Sequence, residues 1–87
     1  MNGAATQVFS REFEGDFLRL PLPIQERDQE KIDAMSPRLA TFPHYRMVGT
    51  DTFRLRINDY GVIYRFDLVK GEIYFIAIGH RRELYRN

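Results

Sequence analysis

Cysteine is absent from the 87 residues, which excludes disulfides and thiolate zinc sites and fits a reducing cytosol. Histidine is scarce, at two residues, and the acids are scattered singly. No metal-ligand cluster stands out, and neither a metal nor another cofactor is expected. The longest apolar run, Ile73 to Ile78, is far shorter than the roughly 20 residues needed to cross a bilayer. Met1 to Gln7 is small and polar, without the basic and apolar regions of a secretory leader. No repeat and no low-complexity tract is visible. The expectation is a soluble cytoplasmic protein without membrane contact. At this length it reads as one domain over 1–87, near the lower end of sizes that a single core sustains.

Hydrophobic residues make up 44% of the chain and aromatics 14%, enough for a packed core. The net charge of +1 is unevenly spread. Residues 1–43 carry five basic against seven acidic side chains, a net of −2. Residues 44–87 carry eight basic against five acidic, a net of +3, and seven of those eight are arginine. Arginine presents a planar fork that suits phosphate, although a solvated face would account for the asymmetry equally well.

The hydrophobic period divides the chain. Gln7-Val8-Phe9 is a short candidate strand, and Ser10 is a candidate N-cap for a helix from Arg11 to Leu20, with Phe13, Phe17 and Leu20 on one face. Pro21-Leu22-Pro23 ends it, and a second helix runs from Ile24 to Met35 until Ser36-Pro37. Its apolar stripe is thin, limited to Ile24, Ile32 and Met35. After Pro43 the period becomes two. Phe53-Arg54-Leu55-Arg56-Ile57 puts its apolar residues on one face and both arginines on the other. Asn58 to Gly61 reads as a turn, Val62 to Asp67 as a strand, Leu68 to Gly71 as a turn, and Glu72 to Ile78 as a strand apolar on both faces, hence interior. The class is α+β: an N-terminal helical hairpin packed on an antiparallel β-sheet.

Two arginines at i and i+2 sit roughly 7 Å apart and repel only mildly in solvent, so the plain reading is an exposed face. The end of the chain adds weight to a functional one. The interior strand runs straight into Gly79-His80-Arg81-Arg82-Glu83-Leu84-Tyr85-Arg86. In a meander that end comes near the strand carrying Arg54 and Arg56, so several guanidiniums would converge on one concavity shaped for a phosphodiester.

Taken together, Phe9-Ser10-Arg11-Glu12-Phe13, the hairpin through Ile24-Gln25-Glu26-Arg27, Phe53-Arg54-Leu55-Arg56, Val62-Ile63-Tyr64 and the terminal Gly79 to Tyr85 resemble the RelE/ParE toxins of type II toxin–antitoxin systems. The likeness spans nearly the whole chain, in order. It implies a toxin held inactive by an antitoxin that wraps a disordered segment around it, with the pair repressing its own operon, so that operator DNA is met only through the antitoxin complex. RelE-type members cut messenger RNA in the ribosomal A site; ParE-type members poison DNA gyrase. By resemblance to RelE-type sites, Arg54 and Arg56 match basic residues of the site strand, Arg81 a basic residue after the last strand, and Tyr85 a terminal aromatic. Arg65, Arg82 and Arg86 are added as candidate RNA contacts.

One departure matters. Where the family commonly reads Asp-Tyr-Arg-Val-Ile-Tyr, this chain reads Asp59-Tyr60-Gly61-Val62-Ile63-Tyr64, so the phosphate-contacting arginine is missing at Gly61. Three readings stand. Gly61 closes the Asn58–Gly61 turn with φ > 0; or nuclease activity has been lost naturally; or the glycine attenuates a toxin that kills its expression host, a reading that finding glycine in the source gene would remove. Arg65, on the same strand face, would partly replace the missing charge.

Cleavage implied by the resemblance is attack of a 2′-hydroxyl on the adjacent phosphate, which needs a base, an acid and stabilisation of developing charge. Arg54, Arg56 and Arg81 suit the last task, since arginine does not deprotonate. Tyr85, with Arg81, Arg82 and Arg86 nearby favouring phenolate, is the candidate proton-transfer group; it would otherwise stack on a base or pack on the helices. His80 is of a type that exchanges protons near neutrality, yet at a strand end it also suits a backbone cap. His44 has no visible partner and is expected to be exposed, and Tyr64 is expected in the core. The readings to be separated are a ribosome-dependent ribonuclease, a gyrase inhibitor and a non-catalytic co-repressor that binds the antitoxin.

Overall fold

Ser10 links the first helix to the sheet. In the computed structural model, which describes residues 4–84, its hydroxyl oxygen accepts from the Phe13 N–H at 3.0 Å, the expected N-cap, and donates to the Ile76 carbonyl at 2.8 Å. The elements are β1 (Thr6–Phe9), α1 (Arg11–Leu18), α2 (Leu22–Met35) followed by a 3-10 turn (Ser36–Arg38), β2 (Tyr45–Arg46), β3 (Phe53–Ile57), β4 (Tyr60–Asp67), β5 (Glu72–His80) and α3 (Arg81–Leu84). The second helix starts two residues before the expected Ile24, because Pro23 sits in its first turn, where a missing N–H costs nothing.

The sheet order is β1-β5-β4-β3-β2. β3 to β5 form the expected antiparallel meander, and β2, which was not expected, pairs antiparallel with β3 at its edge. The sheet is mixed, however, since β1 pairs with β5 in parallel, Phe9 opposite Phe75. Parallel neighbours need a long crossover, and everything between β1 and β5, the hairpin included, supplies it. Between Tyr64–Phe75 and Ile63–Ala77 the register of β4 and β5 slips, leaving Ile76 as an extra residue on β5. Its carbonyl is the one that the Ser10 hydroxyl meets.

The two helices of the hairpin, α1 and α2, cover one sheet face. Phe13, Ile32 and Met35 pack there with Leu55, Ile57, Val62, Tyr64, Ile73, Phe75 and Ile78, all buried. The thin stripe of α2 has a reason: Asp28, one turn from both Ile24 and Ile32, occupies the stripe and is 0% exposed. Neither carboxyl oxygen has a hydrogen-bond partner among the described residues. Burial raises its pKa to about 6, against a smaller opposing pull from Arg27.

His44 is not the exposed, unpartnered residue expected from its loop. Its Nε2 lies 2.8 Å from the Leu39 carbonyl and its Nδ1 2.6 Å from the Tyr64 hydroxyl, and its ring stacks on Phe66 at 4.2 Å. Two of these partners, Tyr64 and Phe66, come from β4, about twenty residues away, which a local reading of Phe42-Pro43-His44-Tyr45 cannot anticipate. Among the described residues no helix is long and apolar enough to cross a membrane.

Candidate functional site

β3 alternates as its sequence demands, with Leu55 and Ile57 buried and Arg54 and Arg56 exposed on the face opposite the helices. Cross-strand register extends that face. Arg54 stands opposite Ile63 and then Ala77; Arg56 stands opposite Gly61 and then Gly79. Strands lie about 4.8 Å apart, so the second row spans roughly 10 Å, with an arginine at one end and two glycines beside it.

Gly61 is therefore a strand residue and not the turn glycine. The turn is the shorter Asn58–Asp59, and its left-handed position is Asn58 (φ 56°), a conformation asparagine tolerates. Sequence reasoning placed the turn two residues too far along because Asn, Asp and Gly are all turn formers. Although on the outer face, Gly61 is buried. The chain after β5 turns into α3, which packs against both β5 and β4. Its Leu84 would lie 3.9 Å from a Cβ built on Gly79.

Arg81 opens α3. Its N–H donates to the Asp59 carbonyl at 2.8 Å, its guanidinium lies 3.9 Å from the Asp59 carboxylate, and its buried Nε has no partner among the described residues. Arg81 thus begins two residues beyond Gly79, at the same end of the sheet as Arg56 and one strand removed from β3. His80 acts as a backbone cap: its Nδ1 accepts from the Arg82 N–H at 3.2 Å, and its ring lies 5.6 Å from Tyr60. Arg82 is exposed. Arg65 stands four residues beyond Gly61, about 13 Å along the strand, and is 3.5 Å from the Asp51 carboxylate. Tyr85 and Arg86 lie outside the described residues.

Two concavities flank this framework. One, of about 350 Å³, is lined by Phe42, Pro43, Tyr45, Arg54, Leu55 and Arg56. The other, about 380 Å³, lies on the helical side and is lined by Phe9, Phe13, Glu14, Phe17, Leu18 and Gln29. A concavity at Arg54 and Arg56 was expected, but its other lining residues are Phe42, Pro43, Tyr45 and Leu55 in place of Arg81 and Arg82, and the second concavity was missed. Tyr45 sits opposite Arg54 on β2, and a two-residue strand is too short for any period to reveal. Chemically, the outer face offers the Arg54 and Arg56 guanidiniums to an anion along β3, whereas His80 pairs with Tyr60 and Ile57 on the opposite side of the strands.

Such a fold, a helical hairpin on a sheet with a short terminal helix over the outer face, defines a class of small toxins. A family model for the ParE toxin of type II toxin-antitoxin systems, parDE, matches residues 8–85, and the chain belongs to that family within the RelE/ParE superfamily. Among solved structures, the RelBE2 toxin–antitoxin complex of Mycobacterium tuberculosis contains a chain with 22% identity and a TM-score of 0.74, the match covering 95% of this chain and 98% of that one. The archaeal RelE–RelB complex of Pyrococcus horikoshii OT3 gives 19%, 0.75, 92% and 98% in the same order. The isolated RelE toxin of E. coli gives 19%, 0.73, 94% and 92%. At such identities the likeness is one of fold. A comparison with curated protein sequences gives no match.

Proposed function

We propose that this toxin is a ribosome-dependent endoribonuclease that cuts messenger RNA in the A site. The observation carrying this reading is Arg56, exposed and facing two successive glycines, Gly61 and Gly79, across the sheet. Arg54 and Arg56 on the exposed side of β3, with Arg81 at the same end of the sheet, supply charge to a phosphodiester lying along β3, next to the part of the row that α3 covers. These arginines bind and stabilise; they do not take the 2′-proton. That task falls to Tyr85, as resemblance suggests. Positioning by the ribosome compensates for a modest acid–base pair.

The partner follows from the same reading. Chains of this fold occur in toxin–antitoxin complexes, and a cognate antitoxin is the proposed inhibitor here, with operator DNA bound only through that complex. The apolar groove on the helical side, with Leu18 71% exposed at its edge, is surface that a soluble chain benefits from covering.

Gly61 and the ParE family model together favour a second reading, inhibition of DNA gyrase, for which no cleavage constellation is needed. A reconstituted translation reaction with primer extension of the messenger, run beside a gyrase reaction scored for cleaved DNA, separates the two. Cuts at the A-site codon sustain the ribonuclease; cleaved DNA without messenger cuts sustains the gyrase inhibitor.

A further inference from the structure

Arg54 and Arg56 also line a concavity whose aromatic wall the proposed chemistry does not use. Its walls are of two kinds. Phe42, Pro43 and Tyr45 form an apolar, ring-bearing side; Arg54 and Arg56 form a cationic one; Leu55 completes the lining. The volume of about 350 Å³ is at the lower end of the ~300–1,000 Å³ typical of small-ligand pockets. The rings differ in how they are held. The Arg38 guanidinium lies 5.4 Å from the Phe42 centroid and the His44 ring 5.5 Å from it, so Phe42 is fixed in place. Tyr45 is 61% exposed and stacks on no other ring among the described residues. It stands on the edge strand, directly opposite Arg54 and two positions along the sheet from Arg56.

An exposed aromatic next to two cations calls for a ligand with a flat apolar part and an anion a few ångströms away. An unpaired nucleotide has both. We propose that this concavity is a nucleobase subsite: one base of a single-stranded RNA stacks on Tyr45 while its adjoining phosphates lie along Arg56 towards Gly61. The subsite rests on the ribonuclease reading and deepens it, since it holds a nucleotide neighbouring the one at the Arg56–Gly61–Gly79 row. Stacking accepts any base, so Tyr45 sets position along the strand more than sequence.

The test uses the whole toxin and a short single-stranded RNA carrying 2-aminopurine at successive positions, or an abasic site at the same positions. Stacking quenches the fluorophore and adds on the order of 1–3 kcal/mol per base, so Tyr45→Ala is expected to weaken binding by about 5- to 150-fold while Tyr45→Phe binds like the parent. Tyr45→Ala keeps the salt dependence of affinity, whereas Arg56→Ala flattens it by about one ion. An abasic site weakens the parent but leaves Tyr45→Ala unchanged. If the parent binds RNA and neither Tyr45→Ala nor the abasic site alters affinity, the subsite is overturned while the ribonuclease reading stands. If the parent binds no RNA, the subsite is also overturned, and messenger cutting on ribosomes decides separately whether the ribonuclease reading survives.

Discussion

The hydroxyl of Tyr64 lies 2.6 Å from Nδ1 of His44, which joins the loop before β2 to the centre of β4. The opposite ring nitrogen, Nε2, faces the Leu39 carbonyl at 2.8 Å and must donate to it. In the neutral ring Nδ1 is then an acceptor, and the Tyr64 hydroxyl donates. Burial pushes the ionisation of that hydroxyl above its ordinary range, which keeps its proton in place. The ring also packs on Phe66 and Phe53, so the loop that walls the arginine cleft is anchored from inside.

His44→Ala should therefore be a stability mutant. It leaves a buried hydroxyl without a partner, at a cost of about 1–3 kcal/mol, and removes a stacked ring as well. Tyr64→Phe should cost about 1 kcal/mol, and His44→Ala should cost less in the Tyr64→Phe background than in the parent. Urea denaturation of the four proteins measures the coupling directly. Equal costs in both backgrounds would remove the hydrogen bond from the account.

How far the sequence carried this reading is plain from single positions. Phe53 to Ile57 announced itself because a strand with one buried face alternates, and Ser10 because a hydroxyl before an apolar-periodic run is a cap. Elements whose reasons are non-local did not announce themselves. The Tyr45–Arg46 strand exists because β3 offers an edge to pair with. The parallel placement of β1 depends on β5, more than sixty residues away. Arg54 and Arg56 were legible as a pair. The aromatic wall of the cleft beside them was not, because Phe42, Pro43 and Tyr45 come from a separate stretch of chain. Nor was the row joining Arg56 to Gly61 and Gly79, which needs the register.

Asp28 gives a pH prediction. Its pKa is raised to about 6 in the folded chain by burial, against an ordinary ~3.9 when unfolded. The native state then binds the proton more tightly. The stabilising contribution is fully present below about pH 4 and is lost as pH rises through about 6. Stability measured by urea midpoint should fall across that window. Asp28→Leu, which completes the apolar stripe between Ile24 and Ile32, should remove the fall and add on the order of 1–3 kcal/mol at pH 7.5. The gain should shrink at pH 4, where the parent carboxyl is neutral. A gain equal at both pH values would mean that the carboxyl does not titrate across this window.

Arg56→Ala and Arg81→Ala separate chemistry from folding. Arg56 is exposed and lies on the outer face, so its loss should change stability by no more than about 0.5 kcal/mol. Cleavage of messenger on ribosomes should fall by about 10²–10³, as for other groups that stabilise developing charge. Arg81→Ala should match it in rate. It should also cost some stability, because Arg81 contacts Asp59 across the start of β4. Initial cleavage rates beside melting curves give the comparison. A rate unchanged in Arg56→Ala would exclude the row from the reaction.

Gly61→Arg asks the most of the site. Position 61 stands directly opposite Arg56, and like charges so placed repel. It is also buried at the end of the sheet where α3 packs. A new side chain there should displace that cover, lowering stability by about 1–3 kcal/mol. A bound phosphate would neutralise the repulsion, so the arginine's benefit should appear only with substrate, as cleavage raised by about 10²–10³. Gly61→Ala introduces the Cβ without the charge. It should bring a smaller loss of stability and no gain in rate. If Gly61→Arg is destabilised as expected and still cuts nothing, the missing charge is not what limits this chain. The gyrase reaction, run with the parent protein, then becomes the deciding assay.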